Sequence, residues 1–164
     1  MSEAGYVLIV DDSEGIRDAL ARDLRRLGHR CDTAANGRMG LEKLRESDFD
    51  VALIDLKMPE MGGLGLLRAM EEAGLTTVPV VLSGQAQIPE AVEATRRGAF
   101  DFIEKPADAE TIRRTVGRAL RHRRALCNAR RMAGLAEQWE ATFDAFPDMI
   151  VVLQPDCRIQ QVNQ

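Results

Sequence analysis

The feature that most constrains the fold is a short apolar run, Val51-Ala-Leu-Ile54, which ends in a single acid, Asp55, and is followed four residues later by Pro59. An uninterrupted apolar run of this length is typical of a strand that is buried on both faces of a parallel sheet. The acid then stands at the carboxyl end of the strand, where parallel sheets bind their ligands. We therefore expect Asp55 to be a functional group.

The same arrangement recurs elsewhere in the chain. Tyr6–Val10, Pro79–Leu82 and Phe100–Ile103 are apolar segments that run directly into polar residues. Because the carboxyl ends of parallel strands meet at one edge of the sheet, three acids, one hydroxyl and one ammonium should converge there. These groups belong to Asp11, Asp12, Asp55, Ser83 and Lys105.

Helical segments separate the predicted strands. The first extends from Glu14 to Leu27, with Ser13 as its expected N-cap, and His29 after it is expected in a solvated loop. Further helices should begin near Asn36, after Gly62-Gly63 and at Pro89. This alternation predicts right-handed crossovers and a three-layer α/β fold with a parallel sheet.

Composition narrows the possible functions. Residues 1–107 carry 19 acidic against 13 basic residues, which indicates a cation-accepting domain, whereas residues 108–164 carry 7 against 9. Aromatic residues make up only 4% of the chain, which disfavours stacking of bases or sugars, and 3 scattered cysteines with 2 histidines disfavour disulfides and zinc. With no apolar run of about 20 residues and no signal pattern, we expect a soluble cytoplasmic chain without membrane contact.

The pattern predicts three parts, 1–107, 108–138 and 139–164. A helix from Ala109 to about Ala145 would be about 55 Å long, more than one small domain can cover. The helix must therefore project from the domain or pair with another helix. We expect a homodimer that forms through residues 108–139. Apolar residues follow a seven-residue repeat in which Arg123 and Arg130 also fall, so the coiled-coil signal is weak.

The converging side chains indicate phosphoryl chemistry. Acids on two neighbouring strand ends form a hard oxygen site that suits Mg²⁺. The ammonium of Lys105, which precedes Pro106, and the hydroxyl of Ser83 could bind an entering phosphoryl group, whose transfer depends on positioning and charge neutralisation. Asp55 would be the nucleophile and would form an aspartyl phosphate.

Four motifs occur in order at the predicted strand ends and are together highly specific. They are Asp11-Asp12, Asp55-Leu-Lys-Met-Pro59 with Gly62-Gly63, Ser83-Gly84, and Gly98-Ala-Phe-Asp-Phe-Ile-Glu-Lys105-Pro106. On these motifs, residues 5 to about 122 resemble the receiver domain of bacterial response regulators. The resemblance implies a flavodoxin-like (βα)5 sheet in the order 2-1-3-4-5.

The resemblance also implies residue roles. Asp55 would be the phosphoacceptor, and Ser83 and Lys105 would bind the phosphoryl oxygens. Mg²⁺ would be held by Asp11, Asp12 and Asp55 with the backbone carbonyl of Lys57. Ser83 and Phe102 would form the conformational switch, with Phe102 where relatives often have tyrosine. The residues flanking the site, Lys57, Gly84 and Gln85, would modulate the phosphoryl lifetime.

The last segment, from about Glu137, resembles the beginning of a PAS domain. It contains an amphipathic helix, the apolar run Asp148-Met-Ile-Val-Val-Leu153, a Pro-Asp turn and a second strand that ends at Val162-Asn163. This corresponds to the first two PAS strands, so the chain is expected to end within the domain.

These parts predict a phosphorelay protein. It would accept a phosphoryl group from a histidine kinase or a histidine phosphotransfer protein and relay its state through the helix to a PAS-containing output in a hybrid sensor histidine kinase. A cyclic-dinucleotide enzyme and a transcription regulator rank behind the kinase as the longer protein. The chain would assist its own phosphorylation without being a turnover enzyme, although a longer parent could be a kinase.

Two alternatives stay open and one is excluded. Eight arginines between positions 113 and 131 could bind nucleic acid, but they fall on several helix faces, so a solvated helix is favoured and no nucleic-acid partner is expected. The second alternative is a receiver domain that serves only for docking or dimerisation. A magnesium-dependent phosphatase is excluded because Lys57 stands where it needs a second acid.

Overall fold

The structure is a computed structural model that describes residues 4–84, 88–144, 151–153 and 159–162. Across the first two ranges, strands and helices alternate as predicted, and a long helix follows the fifth strand. The elements are β1 Tyr6–Val10, α1 Glu14–Arg26, β2 Arg30–Ala34, α2 Gly37–Glu46, β3 Val51–Asp55, α3 Gly63–Glu72, β4 Val78–Gly84, α4 Ile88–Arg96, β5 Asp101–Lys105, α5 Ala109–Asp144, β6 Val151–Leu153 and β7 Ile159–Val162.

Within the described residues, β1 to β5 form one parallel sheet in the order β2-β1-β3-β4-β5. The predicted α/β fold class and the strand order implied by the resemblance are both confirmed. The chain leaves β1 toward β2 on one side and returns to β3 on the other, so strand order reverses between β1 and β3. Ligands of such sheets bind outside this point, which is where Asp11 and Asp55 lie.

The core has two halves, one on each face of the sheet. Alternate residues of β1 point to opposite faces, so Val7 and Ile9 pack in one half and Leu8 and Val10 in the other. Every residue of β3 is buried, as its uninterrupted apolar sequence predicts for a central strand covered on both faces.

The prediction of Ser13 as the N-cap of α1 is confirmed, although its side chain does not make the cap. Ser13 occupies the N-cap position with extended backbone, but its side chain makes no capping hydrogen bond. Its backbone N–H donates instead to Asp11 Oδ1 at 2.9 Å, so the acid organises the turn. The amide oxygen of Asn36 does cap α2, accepting a hydrogen bond from the N–H of Met39 at 2.9 Å.

The predicted solvation of His29 is wrong, since the residue is only 4% exposed. Its Nδ1 accepts a hydrogen bond from the backbone N–H of Gly5 at 3.2 Å. Burial lowers the pKa of His29 below the ordinary histidine value. The residue is buried because the chain just before β1 covers it, a contact between positions 24 residues apart.

The chain divides into two compact units, 1–124 and 125–164. In the first unit, α5 packs on the sheet through Ile112, Val116, Ala119 and Leu120, which are all buried. The second unit contains the rest of α5 and the antiparallel pair β6–β7, whose register places Val151 opposite Val162. No helix in the described part of the chain is long and apolar enough to cross a membrane.

Candidate functional site

Lys105 joins two buried acids at the carboxyl end of the sheet. It is the last residue of β5, and the peptide bond to Pro106 is cis. Its Nζ donates to Asp11 Oδ2 at 2.6 Å and to Asp55 Oδ1 at 2.8 Å. The side chains of Asp11 and Asp55 are only 1% and 9% exposed. One ammonium thus bridges acids from β3 and from the end of β1, reaching them from the edge strand.

The acid pair and Asp55 form a cluster. One carboxylate oxygen from each of Asp11, Asp12 and Asp55 lies within 4.8 Å of the others. Two of the acids are buried and Asp12 is exposed, so the cluster faces solvent on one side. Hard oxygen donors with an open, hydrated side are the surroundings that Mg²⁺ takes in proteins, so the residues present fit this ion.

The charged groups at this edge of the sheet shift one another's pKa values. Burial raises the pKa of Asp55, the hydrogen bond from Lys105 opposes the rise, and the charges of Asp11 and Asp12 add to it. Burial by itself would lower the pKa of Lys105, but its hydrogen bonds to Asp11 and Asp55 outweigh burial and raise it. Lys105 is therefore a cation at neutral pH, while Asp55 carries its charge in unfavourable surroundings.

Two glycines hold the loop after β3 close to Asp55. Gly63 donates its N–H to the carbonyl of Leu56 at 3.0 Å, and a Cβ at position 63 would lie 2.4 Å from the carbonyl oxygen of Asp55. Gly37 donates to the carbonyl of Met61 at 3.0 Å, where a Cβ would lie 2.5 Å from that oxygen. Gly63 and Gly37 thus both permit close approach of two backbone segments.

Ser83 lies at the same edge as Asp55. It is buried in β4, one residue after Leu82, which pairs with Asp55 in the sheet. Its hydroxyl donates to the carbonyl of Gly84 at 3.2 Å, and Gly84, which ends the strand, pairs with Lys105.

The other predicted site residues lie further out. The Lys57 side chain is exposed two positions after Asp55. Phe102 in β5 is 55% exposed, so its ring is outside the core in this structure. Gln85 lies outside the described residues.

Sequence reasoning missed Arg17, which lies in the first turns of α1. Its Nη1 donates to the backbone carbonyls of Asp11 at 2.7 Å and Asp12 at 3.0 Å. Long side chains of a helix point back toward its N-terminus, so an arginine five or six residues after an acid pair can reach the turn that carries it. That spacing is the signal that could have identified Arg17.

The comparisons with known proteins agree with this geometry. The profile of the family "Response regulator receiver domain" matches residues 7–117. The regulatory protein AtoC of Escherichia coli K12 is 36% identical over 120 residues, which are 73% of this chain and 26% of AtoC. The DNA-binding transcriptional regulator NtrC of the same strain has the same identity and coverage. A response regulator receiver domain protein from Clostridium thermocellum has a TM-score of 0.71 at 26% identity, covering 74% of this chain and 98% of that one.

The chain therefore belongs to the response regulator receiver domain family of two-component signalling. Receiver domains generally use Mg²⁺ at the phosphorylation site and interact with histidine kinases or phosphotransfer proteins. The chain spans about a quarter of the length of the curated relatives it matches, 26% in the case of AtoC. The family match ends at position 117, so the PAS segment stays a prediction.

Proposed function

We propose that this chain accepts a phosphoryl group on Asp55 and passes the resulting change of state to an output domain. The observation that carries the proposal is the Lys105 ammonium between two buried acids, next to a cluster of three carboxylates. A lysine so placed can bind a phosphoryl oxygen without leaving its own sheet edge. The donor would be a histidine kinase or a histidine phosphotransfer protein.

In the transfer step, a carboxylate oxygen of Asp55 attacks the phosphorus of a phosphohistidine. The new bond is P–O, the P–N bond breaks, and its electron pair returns to the imidazole nitrogen. Asp11, Asp12, Asp55 and the Lys57 carbonyl would hold Mg²⁺, which neutralises charge on the transferring group. Lys105 and the hydroxyl of Ser83 bind the phosphoryl oxygens and keep them in line for attack.

The roles of the flanking residues are part of the same proposal. Movement of the Ser83 hydroxyl toward the phosphoryl group would accompany inward rotation of Phe102, whose ring is exposed in this structure. Lys57, Gly84 and Gln85 flank the site and would set how fast water hydrolyses the acyl phosphate.

The relay to the output is proposed to run through α5. Beyond the receiver unit, Leu126, Met132 and Leu135 are exposed on this helix. Exposed large apolar residues on one helix support pairing with a second copy through residues 108–139. We propose the parts 1–107, 108–138 and 139–164 as receiver core, signalling helix and beginning of a PAS domain, within a hybrid sensor histidine kinase.

The comparisons favour a second candidate output. The relative NtrC, which aligns with 73% of this chain, is named a DNA-binding transcriptional regulator. A transcription regulator with its DNA-binding part outside this chain is therefore the alternative to the PAS-containing kinase. Steeply salt-dependent DNA binding by residues 108–140 would instead assign that role to the arginines of α5.

The decisive experiment is intact mass after incubation with Mg²⁺ and acetyl phosphate. We expect the wild-type chain to gain one phosphoryl group, with release of acetate, and Asp55→Asn to gain none. Asp50→Asn, at the other end of the same strand, is the matched control and should be phosphorylated. Absence of modification in the wild type, or modification of Asp55→Asn, would refute the phosphoacceptor role. Docking and dimerisation would then be the remaining function.

The dimer is tested separately by light scattering. We expect the wild type to be dimeric and the double variant Leu126→Glu, Ala133→Glu to be monomeric, since both positions fall on the seven-residue repeat of α5 and charges there prevent pairing. A monomeric wild type at high protein concentration would contradict the dimer without affecting the phosphoacceptor proposal.

A further inference from the structure

Arg17 contacts the acid pair in an unusual way for a helix residue. Its guanidinium is half-buried and bonds the carbonyls of Asp11 and Asp12 but not their carboxylates. A cation near the N-terminus of a helix is disfavoured by the helix dipole. The position of Arg17 is therefore not explained by the stability of α1 itself.

The two acids are held in different ways. The Asp11 carboxylate is fixed by Lys105 Nζ on one oxygen and by the N–H of Ser13 on the other. The Asp12 carboxylate is exposed and receives no hydrogen bond from the residues that the structure describes. Its position depends on the backbone of the turn, and the side chain that binds this backbone is Arg17.

We propose that Arg17 is a positioning residue for magnesium, holding the Asp11-Asp12 turn so that the Asp12 carboxylate meets the ion with the other acids. The inference rests on the proposed phosphoacceptor function. Mg²⁺ demands near-ideal octahedral geometry, so a loosely held ligand lowers its affinity. Groups that orient the ligands of a metal commonly contribute about 10-fold to 100-fold in affinity or activity.

A positioning role for Arg17 and simple charge repulsion predict opposite changes in Mg²⁺ affinity when the residue is replaced. A guanidinium beside a cation site repels the incoming ion, so removal of its charge alone would tighten Mg²⁺ binding. Loss of the hydrogen bonds from Arg17 to the carbonyls of Asp11 and Asp12 would instead weaken Mg²⁺ binding. The sign of the change in Mg²⁺ affinity therefore separates the two roles.

The experiment measures Mg²⁺ binding to the full chain by isothermal titration calorimetry, with the metal alone as the probe. Arg17→Ala should raise the dissociation constant about 10-fold. Arg17→Lys, which keeps the charge on a shorter side chain, should give an intermediate value. Arg25→Ala is the matched control, because Arg25 is also on α1 and also donates to a backbone carbonyl, that of Cys31 at 3.0 Å, away from the acids. Arg25→Ala should bind Mg²⁺ as the wild type does.

Phosphorylation by acetyl phosphate supplies a second readout. The Arg17→Ala chain should reach the wild-type rate at saturating Mg²⁺ and fall behind at low Mg²⁺, because the defect lies in metal affinity. Unchanged or tighter Mg²⁺ binding by Arg17→Ala, or an equal loss in Arg25→Ala, would overturn the inference while the wild type still binds Mg²⁺ and is phosphorylated. A wild type that does not bind Mg²⁺ would refute the metal site and this inference together.

Discussion

Two aspartates at opposite ends of β3 show how differently the two edges of the sheet are built. Asp50, just before the strand, accepts a hydrogen bond from the N–H of Tyr6 at 2.8 Å, and its own N–H and carbonyl bond Tyr6 and Val78. Asp55, the last residue of the strand, is buried beside two other acids and is bonded by Lys105. Asp50 ties β3 to the starts of β1 and β4.

The difference separates a structural edge from a functional one. At the amino end, a carboxylate satisfies a backbone donor of a neighbouring strand, which stabilises the fold. At the carboxyl end, burial and two acids raise the pKa of Asp55, so the folded state disfavours its charged form. Similar conflicts between stability and activity are common where a site must bind an external charge.

The largest loss of stability is expected for Gly63→Ala, at the functional edge of the sheet. A Cβ there would lie 2.4 Å from the carbonyl oxygen of Asp55, and backbone atoms cannot move aside cheaply. We expect the free energy of unfolding to fall by about 3 kcal/mol, measured by urea denaturation.

Gly15→Ala provides the control for Gly63→Ala. A Cβ at Gly15 in α1 would meet nothing within 4 Å, so this variant should gain about 0.5 to 1 kcal/mol from helix propensity. Equal stability of the two variants would show that the loop after β3 adapts and is not held against the strand.

The next effect is expected for Asp50→Ala, at the structural edge. Removal of the carboxylate leaves the N–H of Tyr6 without its acceptor, so the free energy of unfolding should fall by about 2 kcal/mol. Asp18→Ala, exposed on α1, should stay within about 0.5 kcal/mol of the wild type. If Asp50→Ala were as stable as Asp18→Ala, the amino end would not depend on this carboxylate.

A change of opposite sign is expected for Asp55→Asn. Because the folded state raises the pKa of Asp55, replacing its charge in metal-free buffer at neutral pH should stabilise the chain by about 1 kcal/mol. The advantage should shrink as the pH falls through the raised pKa, where the carboxyl is neutral anyway. A destabilised Asp55→Asn would mean that the ion pair with Lys105 outweighs burial, and that the two edges are alike.

The smallest expected effect is the pH dependence of stability that arises from His29, which lies beside the amino end of β1. Burial lowers its pKa, and protonation would replace the acceptor of the Gly5 N–H with a donor. Stability should therefore be fully present above the unfolded value of about 6.5 and decrease as the pH falls below it.

The measurement is thermal unfolding between neutral and mildly acidic pH for the wild type and His29→Asn. An amide oxygen in this variant can still accept from Gly5 but does not titrate. We expect a shallower decline of the melting temperature with falling pH in His29→Asn. Parallel curves for the two proteins would show that His29 is not the group responsible.

The strands and the acids at their ends were predictable because their signals are local. An uninterrupted apolar run that ends in an acid, such as Val51 to Asp55, reports burial on both faces and a position at the strand end. The convergence of Asp11, Asp55 and Lys105 followed from the rule that parallel strands end at one edge. The sequence by itself therefore determined the fold class, the edge that carries the site and the acids within it.

The tertiary structure decided how the individual polar groups are satisfied. His29 was expected in solvent because it follows Gly28, which ends the first helix, yet it bonds Gly5, 24 positions away. Lys105 meets Asp11 across 94 positions, and the contact of Gly63 with Asp55 depends on the path of the loop. Periodicity reports which face of an element is apolar, but the partner of a buried donor or acceptor is selected by geometry that exists only after the elements have packed.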